Sequence, residues 1–430
     1  MAVTLRNYGK LLEDLRGSEF DGTFAMLYGS ENIGLQKSRY ERIARSFEEL
    51  YGAAEECGFF SAPGRTEVCG NHTDHQKGRV LAAGVNLDAV GLAARNGENI
   101  VRIKSEGYRM DVVDLSEPYP KQEETGKSVS LVRGVCAEFI RRGYKIGGFN
   151  AATASDVLSG SGVSSSAAFE VLVGTIINYL FNDGVVSAVE IAQIAQKAEN
   201  EFFGKPCGLM DQTACSVGGF VEIDFKNPEK PVIDKIDFDF AACGHRLCIV
   251  NTGGSHSDLT DDYAAVRSEM EAAARCLGAS VLRETDKASF AQNIPLIREK
   301  CGDRAVLRAL HFYADNDRVL DESQALAQGD FEKFKALVIE SGRSSYMYNQ
   351  NVFTCADPQS QPVSIGLALC EKILKGKGAW RVHGGGFAGT IQAFVPDELL
   401  GEFKAVMTGV FGEKSCYVLS IRPVGGVKVI

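Results

Sequence analysis

Residues 158–168 read Leu-Ser-Gly-Ser-Gly-Val-Ser-Ser-Ser-Ala-Ala and run straight into a strongly helical apolar stretch over 169–181. No other segment narrows the possible folds and chemistries of the chain as much. Gly160 and Gly162, alternating with Ser161 and Val163, allow the backbone to approach a ligand closely, and Ser164, Ser165 and Ser166 stand where the helix begins. Free N–H groups of a first helical turn converge on one spot, where the helix dipole also favours negative charge. Hydroxyls there can reach phosphate oxygens or a magnesium ion. The lysine of a Walker A loop is missing, and Ser165 takes the third glycine position of a dinucleotide fingerprint, so neither motif applies. A single serine would be an ordinary N-cap. Three in succession exceed what one cap needs, and the expectation is an anion-binding loop.

The rest of the chain sharpens that expectation. Its 46 lysines and arginines against 56 aspartates and glutamates leave a formal charge of −10, with no basic block, which argues against a nucleic-acid partner. An acidic chain that handles an anion must therefore build its positive field locally, from backbone N–H groups, a metal or a few placed cations. The 12 cysteines are scattered without a CxxC pair, as expected of reduced thiols used as small apolar filling. The first residues have no apolar h-region, and no window offers the ~18 uninterrupted apolar residues of a membrane span. A cytoplasmic protein without a membrane partner, monomeric or weakly homo-oligomeric, is expected.

Strand-like and helix-like groups alternate without the regular rhythm of a doubly wound sheet, so the fold class is α+β. The first ~54 residues read as helical, with Tyr40, Ile43, Ala44, Phe47, Leu50 and Tyr51 on one face. Strands are expected over 59–95, 100–113, 220–223, 247–251 and 390–395, and helices from 164, over 187–203, in long stretches after 251 to about 342, and over 363–374. The clearest seam is the polar stretch 225–231 with its two prolines, giving lobes of 1–225 and 226–430.

Several polar residues occupy unusual places. On the helix expected over 187–203, Glu199 shares a face with Ile191 and Ala195, which costs desolvation unless the carboxylate is paired or binds a metal. A boundary residue reaching for solvent is the ordinary explanation. Asp211 lies between a glycine turn at Gly208 and an apolar strand, where a solvated loop acid is equally ordinary. Arg65 follows a Pro-Gly turn, and Asn71, His72, Thr73, Asp74 and His75 line up five hydrogen-bonding side chains. With no third ligand in evident reach, that run suits a polyol better than a metal.

Taken in order, these segments resemble the galactokinase branch of the GHMP small-molecule kinases. The carriers are Ala-Pro-Gly64-Arg65 through Gly70-Asn71-His72-Thr73-Asp74, the serine loop, Ala198-Glu199-Asn200 through Cys207-Gly208-Leu-Met-Asp211-Gln212, Asp262-Tyr263 with Arg267, and His383 to Gly389. The resemblance implies a two-lobed fold: an N-terminal lobe with a left-handed βαβ unit, a ferredoxin-like C-terminal lobe, and substrate bound in the cleft. It implies an ATP-dependent sugar 1-kinase acting on galactose or a related sugar such as N-acetylgalactosamine or arabinose. A non-catalytic sugar sensor is the remaining alternative. In the kinase, residues Gly160, Ser161, Gly162, Val163, Ser164, Ser165 and Ser166 would wrap the ATP phosphates, and Ser166 and Glu199 would hold Mg²⁺. Asp211 would be the base, with Arg65 beside it, and Asn71, His72, Thr73, Asp74, Gly208 and Tyr263 would line the sugar. The chain departs from the family at Glu67 (usually asparagine), Asn71 (usually glutamate) and His75 (usually tyrosine), and it carries an extra N-terminal segment of about 30 residues, within what surface elements tolerate.

Overall fold

The computed structural model describes residues 5–157, 163–254 and 259–430. The chain divides into two units, one of residues 1–65, 84–219 and 422–430 and another of 66–83 and 220–421. This differs from a single cut after residue 225. Long strands leave one unit partway along their length, and the chain end returns to the first unit, which the polar stretch at 225–231 could not reveal.

The first unit opens with helices α1 (Tyr8–Arg16), α2 (Asp21–Tyr28) and α3 (Ile33–Tyr51). Strands β1 (Cys57–Cys69), β2 (Arg79–Arg95), β3 (Ile100–Ser105) and β4 (Met110–Asp114) follow, then α4 (Ser128–Arg141) and β5 (Phe149–Ser155). Helices α5 (Ser165–Phe181), α6 (Ala188–Lys197) and α7 (Met210–Val217) complete its main segment. The strand at the chain end, Val427–Lys428, pairs antiparallel with β1, and β3 pairs in parallel with β5.

Successive strand residues face opposite sides of the sheet. Phe60, Ala93, Ile103, Phe149 and Ala151 pack with α4, α5 and α6 in one core. Phe59, Val90, Leu92, Ala152 and Ala154 pack in another with α1 to α3. The N-terminal segment thus covers the second face of the sheet. Of the apolar face expected on α3, Tyr40, Ile43, Ala44 and Phe47 are buried, whereas Leu50 is 41% exposed. The helix expected over 187–203 is α6, started by a Ser187–Glu190 capping box and continued as a π-helical turn over Ala198–Phe203.

The second unit contains β6 (Phe220–Asp224), β7 (Val232–Ile236), β8 (His245–Gly253), α8 (Thr260–Cys276), α9 (Lys287–Cys301), α10 (Asp303–Ala327) and α11 (Phe331–Ser344). After them come α12 (Pro362–Leu374), β9 (Ala379–His383), β10 (Gly389–Pro396), α13 (Leu400–Phe411) and β11 (Cys416–Leu419), and the chain-end strand is β12. Four of these strands form an antiparallel sheet in the order β11-β8-β10-β9. With α12 between β8 and β9 and α13 between β10 and β11, this is the ferredoxin-like β-α-β-β-α-β arrangement, carrying α8 to α11 as an insertion after its first strand.

One polar cluster lies inside the first unit. Asp88 of β2 is fully buried and takes hydrogen bonds from Arg39 Nη1 at 2.7 Å, Arg422 Nη1 at 3.0 Å, Tyr28 Oη at 2.6 Å and the Ser61 hydroxyl. Burial pushes the Asp88 carboxyl up, but Arg39 and Arg422 outweigh it and hold the group below the usual carboxylate range. Asp88→Asn should therefore destabilise the protein by about 3–5 kcal/mol at neutral pH, because it leaves two guanidinium groups short of their counter-charge. A depressed carboxylate contributes fully above its unfolded pKa of about 3.9 and loses that contribution as pH falls through its folded value. In denaturant melts, the gap between wild type and variant should be constant above about pH 5 and close only below about pH 4.

Candidate functional site

In the first unit, the expected residues begin where β1 meets the end of the serine loop. A Cβ at Gly64 would lie 2.7 Å from the Val163 carbonyl oxygen, so glycine is required for this approach. The next residue, Arg65, donates its backbone N–H to that same oxygen at 3.1 Å. Residues 158–162, with the expected ligands Gly160, Ser161 and Gly162, lie outside the described residues.

Arg65 reaches Asp211 in a bidentate pair, Nε to Oδ1 at 2.7 Å and Nη2 to Oδ2 at 2.8 Å. Such a fork fixes both charge and orientation. Asp211 is in the first turn of α7, not in the loop expected from the sequence. Its third partner is the hydroxyl of Ser164, which donates to Oδ2. Ser164 sits in the left-handed region at φ 57° and makes no side-chain cap to α5, so the ordinary capping explanation does not hold for it. Burial raises the Asp211 pKa, and the charge and hydrogen bonds of Arg65 with that of Ser164 more than reverse this, leaving a carboxylate below its ordinary value.

A second carboxylate lies on the π-helical turn. Glu199 is buried, not a boundary residue reaching for solvent. Ser166 Oγ donates to its Oε1 at 3.2 Å, and Lys205 Nζ stands 3.3 Å from the same oxygen. Gln212 Nε2 donates to its Oε2 at 2.7 Å. A hydroxyl and a carboxylate are hard oxygen donors of the kind Mg²⁺ takes, and that ion commonly keeps water and phosphate for its other positions. The donor chemistry of Ser166 and Glu199 therefore fits the expected ion, and the Lys205 ammonium beside Glu199 Oε1 shows that this oxygen attracts positive charge. Gly208 is exposed just ahead of α7.

The other expected residues belong to the second unit. Asn71 is 1% exposed and its amide is fully engaged: Nδ2 donates to Glu67 Oε1 at 2.8 Å and to the Gly384 carbonyl at 2.7 Å, while Oδ1 accepts from Asn351 at 2.6 Å. Thr73 is buried and donates to the Gly70 carbonyl at 2.8 Å, so its hydroxyl serves the turn. His72, Asp74 and Tyr263 are partly exposed. His72 Nε2 lies 2.9 Å from the Gly385 carbonyl, and Tyr263 donates its hydroxyl to Gly386 at 2.9 Å. The glycines beside them are needed for space: a Cβ at Gly386 would fall 1.9 Å from the Asn351 carbonyl. His75 is pushed down to about 4, chiefly by burial, and is neutral at pH 7.

Sequence reasoning missed Glu170, Gln212, Lys205 and Asn351. Glu170 could have been found as the single charge inside the apolar helix, one turn beyond Ser166. Asn351 lies far along the chain from Asn71, and no local pattern marks it.

Residues 130–219 match the family described as GHMP kinases N terminal domain, and residues 45–95 match the galactokinase galactose-binding signature. A galactokinase of Glaesserella parasuis serovar 5 is 30% identical over 403 residues, covering 89% of this chain and 97% of its own length. That of Streptomyces coelicolor is 31% identical and covers 82% and 88%. Among solved structures, Lactococcus lactis galactokinase complexed with galactose superposes with a TM-score of 0.74 at 27% identity, covering 90% of this chain and 99% of that one. Methanococcus jannaschii mevalonate kinase, at 14% identity and a TM-score of 0.60 over 84% and 98%, shares the fold.

The Glu67–Asn71 pair supports a direct test of local chemistry. Asn71→Asp replaces a donor by an acceptor against Glu67 Oε1 and the Gly384 carbonyl. Stability at neutral pH should fall by about 1–3 kcal/mol in denaturant melts, and Glu67→Gln in the same chain should recover part of the loss.

Proposed function

Because the chain belongs to the galactokinase family of the GHMP kinases, we propose that it transfers the γ-phosphoryl group of ATP to the C1 hydroxyl of galactose. The observation that carries this reading is the bidentate Arg65–Asp211 pair closed by Ser164, which brings the end of the serine loop to an ionised carboxylate.

Asp211 accepts the proton of the C1 hydroxyl. The sugar oxygen forms a bond to the γ-phosphorus as the bond from that phosphorus to the β,γ-bridging oxygen breaks, and ADP leaves with the electron pair. A carboxylate held low by Arg65 is a weak base in the ground state. It suffices because the transition state of phosphoryl transfer is loose and the hydroxyl becomes acidic only as the new bond forms. Arg65 keeps Asp211 ionised and places positive charge beside the transferring group. Residues 160–166 hold the phosphates, with Ser164 also orienting Asp211. Bound at Ser166 and Glu199, Mg²⁺ supplies charge neutralisation on the phosphate oxygens.

His72, Asp74, Gly208 and Tyr263 are assigned to the sugar. Asn71 and Thr73, whose side chains are engaged within the protein, shape the segment that presents His72 and Asp74. The amide at Asn71 makes N-acetylgalactosamine and arabinose the informative competitors of galactose.

Sugar-dependent ADP release tests the activity: turnover is expected on galactose, and equal, negligible turnover on galactose, N-acetylgalactosamine, glucose, arabinose and talose overturns the kinase assignment. Asp211→Asn should lower turnover roughly 10²–10⁴-fold with sugar binding nearly unchanged. Arg65→Ala should also slow it, and the double variant should be little worse than the worse single one, since residues acting as a unit are strongly non-additive. Glu199→Gln should lose turnover while keeping its fold and recover partly in excess Mg²⁺. A fully active Glu199→Gln removes that residue from the metal site.

A further inference from the structure

Behind Glu199 lie two polar side chains that the reaction does not use directly. Gln212 is fully buried on α7, next in sequence to Asp211. Its Nε2 donates to Glu199 Oε2 at 2.7 Å and to Glu170 Oε2 at 3.3 Å. Glu170 is fully buried on α5, one helical turn after Ser166. Its Oε1 and Gln212 Oε1 have no hydrogen-bond partner, although polar atoms in such places are normally paired. The amide orientation follows from its surroundings, because a flipped Gln212 would set an acceptor against two carboxyl groups.

We propose that Gln212 and Glu170 are positioning residues for the metal ligand Glu199. Gln212 holds Oε2, which leaves Oε1 directed at Ser166, and Glu170 holds the Gln212 amide. The first contact fixes the rotation of the Glu199 carboxylate. The second prevents Gln212 from turning away, a task that an apolar residue at 170 could not perform. Ser166 and Glu170 share one face of one helix, so the ligand hydroxyl and the outer support move as a single body. Asp211 and Gln212 are adjacent, which ties the orientation of the metal carboxylate to the helix that carries the base.

This inference rests on the kinase reading of the site, and nucleotide binding separates the two. Titration calorimetry of the whole protein with ADP, in Mg²⁺ and in chelator, gives the factor by which the metal improves binding. Partners behind a metal ligand typically change metal affinity by about 10–100-fold. Gln212→Met keeps length and burial but removes both donors, and should reduce the Mg²⁺-dependent factor about tenfold while leaving metal-free ADP binding in place. Glu170→Leu should do the same, and Glu170→Gln, which still offers Gln212 an acceptor, should restore the factor. If either Gln212→Met or Glu170→Leu is folded by melting and leaves the factor unchanged, or weakens ADP equally with and without metal, the positioning role is overturned. If wild type itself binds ADP no better with Mg²⁺, the metal-site reading fails instead.

Discussion

Asp88 is the charge around which the first unit is built. Three stretches far apart in sequence meet at this fully buried carboxylate: Arg39 and Tyr28 from the N-terminal helices, Ser61 from β1, and Arg422 from the chain end. A buried carboxylate is tolerable only when its lone pairs are satisfied and its charge matched. Asp156 supplies a second counter-charge to Arg39, standing 3.1 Å from its Nη1. Ser61 precedes Arg65 by four residues on the same strand, so the cluster that locks the sheet also sets the height at which Arg65 emerges.

The site inherits its geometry from such backbone placements more than from flexible side chains. Gly64 allows β1 to touch Val163, the left-handed Ser164 turns its hydroxyl toward Asp211, and the π-helical turn at Ala198–Phe203 re-aims Glu199 relative to α6. An extra residue in a helical turn rotates everything after it, a common device at functional positions. Two carboxylates then acquire different environments. Asp211 receives a guanidinium fork, whereas Glu199 receives a hydroxyl, an amide and an ammonium. The first arrangement stabilises a fixed anion, whereas the second surrounds its carboxylate with one cation and neutral donors.

Buried polar satisfaction also divides the sugar motif. The Asn71 side chain hydrogen-bonds with Glu67, Gly384 and Asn351, and Thr73 closes its own turn. His72, Asp74 and His75 therefore remain the residues of that run with exposed surface. Glu67 and Asn71 are matched to each other, since the carboxylate of one accepts from the amide of the other.

Much of this was legible in the chain itself. Helical periodicity marked the buried face of α3, the serines marked the start of α5, and the order of the motifs identified the family, because these signals are local and depend on neighbours a few residues away. The same locality misplaced Asp211 in a loop, since the short helix α7 has little periodicity to read, and made Glu199 look like a boundary residue. It also suggested one seam where strands cross between units. Glu170 stands out in sequence only as a lone charge in an apolar helix, Asn351 carries no local pattern, and the contacts of Gln212 with Glu170 and Glu199 arise only when their helices pack together. Residue types and their spacing determined which chemistry the chain can perform. Tertiary structure decided which polar atoms are already satisfied within the protein and which are left to act on a ligand, because hydrogen-bond partners across long sequence separations exist only once the chain is folded.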